Sequence, residues 1–318
     1  MKYAFDFSSF QEIAVFPHQS PDGDAIGSAV AMALYLKEIG KRVVICIDDE
    51  IQYELRFLCA YADFVTYEEA LGLYQNWDFC VSVDCADKAR LGRRAMFTEG
   101  KELLNIDHHH TNPLFGEYNI VDKNAPAACE VIYHMLKENG FAITKEIGEA
   151  IYTGLSTDTG NFLYDNVRPE TFLVASELLR LGIDKAKIVF ELYQNKRSEK
   201  IRLHADAINQ ITFHKGGSLA MTYVDDEMLL RNGASMLDTE GICESLRDIR
   251  GVEVACFLKE KREEDGSFST KVSMRALPMH DVSSVASSFG GGGHKAAAGF
   301  TLEADKEKVK ELLLQKFD

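Results

Sequence analysis

Residues 103–106 form a short apolar run that ends abruptly in Asp107-His108-His109-His110. A run this short and apolar fits a strand buried on both faces, which delivers the polar residues after it to the edge of a sheet. The pattern recurs. Residues 13–16 are closed by Pro17 and followed by His18-Gln19-Ser20-Pro21-Asp22-Gly23-Asp24, and residues 79–83 are followed by Asp84. Residues 43–47 form a further apolar strand. Between the strands the period changes. Ile26, Val30 and Leu34 recur every four residues with Ala29 and Ala33 beside them, which predicts a helix buried along one face and ending near Gly40. Strands alternating with helices constrain the chain to an α/β fold: a parallel sheet with helices on both faces and right-handed crossovers.

Further helices are expected over 51–61, 67–74, 127–137, 145–155, 169–180 and 185–193. The last of the 145–155 group is followed by Ser156-Thr157-Asp158-Thr159-Gly160. Residues 1–193 therefore read as one domain, and the polar, basic stretch 194–209 as a connection. Residues 210–318 read as a smaller α+β domain. There the strands 211–214 and 218–224 flank the hairpin signal His214-Lys215-Gly216-Gly217, and 252–258 and 269–275 flank a charged loop. Helices fit 240–249, 282–287 and 305–317.

Polar residues at the element ends converge if the sheet is parallel, because the carboxyl ends of its strands share one edge. They are His18, Asp22, Asp24, Asp84, Asp107, His108 to His110, and Asp158. A helix cap or a turn explains Asp24 or Asp158 singly. It does not explain why several apolar strands end in acid or histidine. Crowded aspartates repel unless cations neutralise them, and six ligands, two of them histidine, suit a pair of divalent ions. Two ions form the usual clamp for in-line attack at phosphorus, with one carboxylate between them. Mixed imidazole and carboxylate ligation favours Mn2+ over Mg2+, with Co2+ or Zn2+ as substitutes.

The second conspicuous stretch is Gly290-Gly291-Gly292-Gly293-His294-Lys295. Its glycines predict a nest of backbone N–H groups facing an anion, and Arg275 at the end of a preceding strand could supply a bidentate phosphate contact. A formal net charge of −15 opposes a long footprint on duplex DNA, which needs a basic stripe. It leaves room for a small phosphorylated ligand. Seven cysteines, an odd number with no C-x-x-C pair, fit a reducing compartment. The N-terminal residues lack the apolar core of a signal peptide, and no apolar stretch is long enough to cross a bilayer. A cytoplasmic protein without membrane contact is expected, and the sequence admits a homodimer.

These motifs together resemble the DHH phosphoesterase family, and residues 290–299 resemble its DHHA1 domain. The two-domain length is similar to the bacterial nanoRNase and pAp-phosphatase branch. The resemblance implies metal ligation by His18, Asp22, Asp24, Asp84, His108 and Asp158, with Asp84 bridging. It implies that His109 contacts the scissile phosphate and helps protonate the leaving oxygen, and that Asp107 orients His108. Nucleotide binding falls to Arg275, Gly291, Gly292, Gly293 and His294. His110 lies beyond the motif and has no assigned role. The implied activity is hydrolysis of very short RNA and of 3′-phosphoadenosine 5′-phosphate, in a cleft between the two domains. Alternatives are a linear or cyclic dinucleotide phosphodiesterase, a RecJ-like exonuclease, or a nucleotide-binding regulator without catalysis. A family II pyrophosphatase is disfavoured by the glycine-rich C-terminal part.

Overall fold

The computed structural model describes residues 2–317. The chain divides into two compact units, one running through Asn195 and the other starting at Lys196.

In the first unit the elements are β1 (Glu12–Pro17), α1 (Gly23–Glu38), β2 (Arg42–Cys46), β3 (Phe64–Val65), α2 (Tyr67–Ala70), β4 (Phe79–Val83), β5 (Glu102–Asp107), β6 (Tyr118–Val121), α3 (Ala128–Glu138), α4 (Lys145–Asp158), α5 (Pro169–Arg180) and α6 (Lys185–Val189). The sheet is six-stranded, in the order β3-β2-β1-β4-β5-β6, and every pairing in it is parallel. Alternate residues of each strand serve opposite faces. Ile13, Val15, Phe79, Val81 and Leu104 pack under α1, α3 and α4. Ala14, Phe16, Cys80 and Leu103 pack under Ala70, Trp77, Leu91 and Phe97, carried by α2 and tight 3-10 turns. Segment 53–61, expected as an ordinary helix, is wound as a 3-10 helix, and the expected helix over 67–74 stops at Ala70. The short strands β3 and β6 were not foreseen: two to four residues at the sheet edges carry too little pattern to stand out.

The strand order decides where a ligand can sit. After β1 and after β4 the chain leaves in opposite directions, so a crevice opens beyond the carboxyl ends of these two neighbours. His18 follows β1 and Asp84 follows β4.

Helices α1 and α4 approach with almost nothing between them. A Cβ on Gly27 would lie 2.5 Å from the Ala150 carbonyl oxygen, and one on Gly154 would lie 2.3 Å from Cys129 Sγ and 2.5 Å from Asp24 Oδ1. The glycines therefore bring the start of α1 and the end of α4 together, and with them Asp24 and Asp158.

The second unit contains α7 (Ser198–Asn209), β7 (Thr212–His214), β8 (Leu219–Val224), α8 (Asp226–Asn232), α9 (Ile242–Arg247), β9 (Val254–Arg262), β10 (Phe268–Ala276), α10 (Val282–Ser288), β11 (Gly292–His294), β12 (Ala297–Leu302) and α11 (Lys306–Lys316). Its mixed sheet runs β11-β12-β10-β9-β8-β7. One face packs on α7, α8 and α9 through Ala220, Ala255 and Phe257. The other packs on α10 and α11 through Cys256, Val272 and Met274. The stretch expected as a connection, 194–209, is largely α7, and its Leu203 and Ala207 are buried in this unit.

The glycine stretch also differs from expectation. Gly292–His294 is an extended edge strand paired to β12, not a curled nest. The backbone of Gly293, at φ 142°, runs so close to β12 that a Cβ there would lie 2.5 Å from the Ala297 carbonyl oxygen. An edge strand still offers one unpaired row of N–H and C=O groups.

Gly154→Ala tests the α1–α4 approach. Overpacking against Cys129 and Asp24 should cost about 1–3 kcal/mol in urea unfolding. A change within error would mean that the two helices separate at no cost.

Candidate metal centre

Asp22 and Asp24 divide two tasks. Asp22 is the N-cap of α1, and its Oδ1 accepts the backbone N–H groups of Asp24 and Ala25, both at 3.1 Å. Its other oxygen lies 3.8 Å from His18 Nε2. Asp24 does not cap its own helix. Its carboxylate crosses to α3, where it accepts from Ala128 N–H at 2.5 Å and Cys129 N–H at 3.0 Å. Ala127, the N-cap of α3, has no side chain able to do this. Unpaired N–H groups at a helix start attract a carboxylate, which fixes Asp24 at the crevice.

The histidines are held from behind. His108 Nδ1 donates to the Ala125 oxygen at 3.2 Å; a carbonyl can only accept, so this proton is placed on Nδ1 and Nε2 is presented as the ligand atom. His18 Nδ1 lies 2.7 Å from the Gln19 oxygen, an acceptor, and 3.1 Å from Arg90 Nη2, a donor, so these neighbours hold the ring with Nε2 toward the aspartates without selecting one tautomer. His18 Nε2 lies 3.5 Å from Asp84 Oδ2. His108 Nε2 lies 3.4 Å from Asp84 Oδ1, 3.4 Å from Asp158 Oδ2 and 3.9 Å from Asp24 Oδ2.

Asp84 is thus the shared residue. It sits one position beyond β4 in a left-handed conformation, φ 52°, which aspartate tolerates better than most side chains, and its N–H still donates to the Ile106 oxygen. Its Oδ1 is buried and without a hydrogen-bond partner among the described residues. An orphaned, buried carboxylate oxygen facing an imidazole lone pair is costly unless a cation lies between them. The donor set fits such a cation. His18, Asp22 and Asp84 form one group with ligand atoms within 4.8 Å of one another, and Asp24, His108 and Asp158 form another.

Charge is badly balanced without an ion. Burial opposes a charged ring at His18, but the carboxylates of Asp22 and Asp84 outweigh it and push the pKa up to about 10. His108 is likewise raised against its burial, chiefly by Asp84 and Asp158. Asp24 is pushed up to about 7 by burial and by the charge of Asp84, and Asp158 is raised by burial and by Asp24 and Asp22. Asp84 stays low despite burial, because His108 and His18 hold its charge. Protons here occupy the places where a divalent ion would do better.

Asp107 was expected to orient His108. Instead its Oδ1 holds His109 Nδ1 at 2.7 Å, while its Oδ2 lies 2.5 Å from the Asn112 amide. Asn112 in turn reaches Asn105 Oδ1 at 2.7 Å, and Asn105 donates to Ser82 Oγ at 3.0 Å. This asparagine network was missed. The available signal was Asn105 itself, a polar residue within a buried strand and on the same face as Asp107. His109 is partly exposed, and His110 is exposed in the turn beyond. Two thiols back the centre. Cys129 Sγ lies 3.3 Å from Ser28 Oγ beside Asp24, and Cys85 donates to the Asp87 oxygen at 3.2 Å. Burial pushes both thiols well above the ordinary range.

In the second unit, Arg275 Nε donates to Glu244 Oε1 at 2.9 Å and Nη1 to the Met274 oxygen at 3.1 Å. Glu244 was not anticipated as its partner. Gly291 and Gly293 pack against β12, whereas a Cβ on Gly292 would meet open space. The side chain of His294 lies outside the described residues.

Comparison with known proteins finds relatives along both units. Residues 12–155 match the DHH family, N-terminal domain, and residues 216–318 match the DHHA1 domain. The chain is 33% identical to the bifunctional oligoribonuclease and PAP phosphatase NrnA of Thermus thermophilus, over 95% of this chain and 88% of that protein. It is 26% identical to the protein of the same name from Bacillus subtilis, over 94% and 93%. Among solved structures, an exopolyphosphatase-related protein from Bacteroides fragilis superimposes with a TM-score of 0.87 at 26% identity, covering 96% of this chain and 91% of that one.

The pKa shifts set a pH test. The metal-free folded protein keeps the His18 proton up to about 10, whereas the unfolded chain releases it near 6.5. That contribution to stability is full below about 6.5 and is lost as pH rises toward 10. Asp24, raised from 3.8 to about 7, acts in the same direction over its own window. A divalent ion competes for both groups, so the rise in Tm on adding Mn2+ should grow between roughly pH 6 and 9, with protons released on binding. Melting curves with chelator and with Mn2+ measure it. A metal-induced shift independent of pH would exclude these ligands.

Proposed function

This chain belongs to the DHH phosphoesterase family, and from that membership we propose that it is a two-metal phosphoesterase hydrolysing very short oligoribonucleotides and 3′-phosphoadenosine 5′-phosphate. The observation that carries the reading is Asp84, whose two oxygens face two different imidazoles, each grouped with further aspartates. One ion would be held by His18, Asp22 and Asp84, the other by Asp24, His108, Asp158 and Asp84. The mixed nitrogen and oxygen ligands favour Mn2+. When bound, such ions supply Lewis acidity toward a phosphoryl oxygen and lower the pKa of water.

The chain's own residues do the rest. The Asp107 carboxylate fixes His109 by accepting its Nδ1 proton, which turns Nε2 outward as the group able to hand a proton to the leaving oxygen. Asn112 and Asn105 hold that carboxylate in turn. Arg275 offers a charge-assisted donor to a nucleotide phosphate, and Gly291, Gly292, Gly293 and His294 line the same nucleotide contact. The names of the two relatives support RNA and bisphosphate substrates. The seven free cysteines fit a reducing cytoplasm.

Substrate length is the decisive measurement. With few phosphates contacted by an acidic chain, RNA of roughly two to five nucleotides should be cleaved fast in Mn2+, with a steep fall beyond and weak salt dependence. The panel compares a dinucleotide, 3′-phosphoadenosine 5′-phosphate, a cyclic dinucleotide, pyrophosphate and a twenty-nucleotide strand. Faster processive degradation of the long strand would replace the reading with a RecJ-like one. Preference for the cyclic or linear dinucleotide alone would narrow it to a dinucleotide phosphodiesterase.

Two substitutions separate proton transfer from binding. His109→Ala should lower kcat by about 10²–10⁴-fold with little change in KM. Asp107→Asn should lower kcat too, because an amide no longer demands the same tautomer. An unchanged kcat for His109→Ala would remove it from the chemistry.

A further inference from the structure

The face of the second sheet that carries Arg275 holds an unexplained pair of charges. On β10, Lys271, Ser273 and Arg275 share this face. The antiparallel register sets Lys259, Phe257 and Ala255 of β9 opposite them, in that order. Lys271 and Lys259 therefore stand directly across from one another. This is the one directly opposed pair of like charges in the strand registers of either sheet among the described residues. Like charges in that position destabilise a sheet.

The neighbourhood does not dissolve the conflict. Lys259 is half-buried, with its ammonium 5.5 Å from the centre of the Phe257 ring. Burial disfavours its charge, and so does Lys271; Glu240 and Glu244 favour it, yet the pKa remains below the ordinary lysine value. Glu244 is also engaged by Arg275. The helices that pack on this face cover Phe257 and Ala255, and the part beside the lysines toward β12 is left open. Lys271 and Thr301 are exposed, and the floor between them and Arg275 is made of Ser273 and Gly299, paired across β10 and β12. Lys271 and Arg275 are four residues apart on one strand, about 13 Å, too far for a single phosphate to touch both.

We propose that Lys259 and Lys271 form a second phosphate site on this face, which takes a backbone phosphate of an oligonucleotide whose terminal nucleotide is held at Arg275. The proposal rests on the reading of Arg275 as a nucleotide contact. A bound phosphate converts the repulsion between the lysines into two charge-assisted contacts. The pair then contributes to oligonucleotide binding in a way that a lone nucleoside bisphosphate cannot use fully, and so distinguishes the two substrate classes.

The test uses Lys271→Gln and the double variant Lys259→Met/Lys271→Gln, in which methionine preserves the apolar stem. In Mn2+ the double variant should raise the KM for a tetraribonucleotide five- to twentyfold more than the KM for 3′-phosphoadenosine 5′-phosphate, with kcat for the tetranucleotide changed less than twofold. The ligand-free Lys271→Gln protein should melt at a higher temperature than the parent, because the repulsion is gone. An equal effect on both KM values, no effect on either, or a fall in the ligand-free Tm would overturn the proposal. If the parent protein cleaves neither substrate, the functional reading itself fails and this one falls with it.

Discussion

Asp24 is the fixed point of the first unit. It belongs to α1, satisfies the open N–H groups of α3, and lies against the bare backbone of α4 at Gly154. Three helices and the edge of the sheet are therefore referred to one carboxylate. The arrangement works only because that carboxylate is wanted twice, by a helix start with positive partial charge and by the imidazole of His108. An asparagine could pack there, but it would offer one accepting oxygen where Asp24 offers two, one to Ala128 and one to Cys129. Structure and site are coupled through one side chain.

Much of this was legible in the residues. Apolar runs stopped by acid or histidine located the strands β1, β4 and β5 and placed His18, Asp84 and His108 at one edge. That inference needs only the rule that parallel strands share an orientation. The helix caps were harder. Asp24 could be read as a cap for the helix it begins, yet Asp22 takes that position and Asp24 serves a helix a hundred residues away. Capping across the fold leaves no local pattern. The Asp107–His109 pairing was equally hidden, because two adjacent histidines on one turn give no sign of which will face back. The short edge strands, the 3-10 segments and the pairing of Glu244 with Arg275 escaped for the same reason: tertiary contacts decide them.

The glycine stretch shows how one composition serves two demands. Glycines that suggest a flexible anion nest are, at Gly291 and Gly293, the consequence of a strand pressed against β12. Gly292 has space around it and is not required by packing. Local composition indicated permissiveness, and the sheet register determined how it is used.

The thiols behind the centre have a consequence for which ions can compete. Cys85 and Cys129 lie beside metal-ligand candidates, but burial keeps their protons in place. Among the described residues, the ligand atoms close enough to share an ion are all histidine nitrogen and aspartate oxygen, and neither thiol is grouped with them. Thiophilic ions such as copper(I) therefore meet no sulfur in that set, and the softness that lets them displace harder ions from a cysteine-rich pocket has nothing to act on.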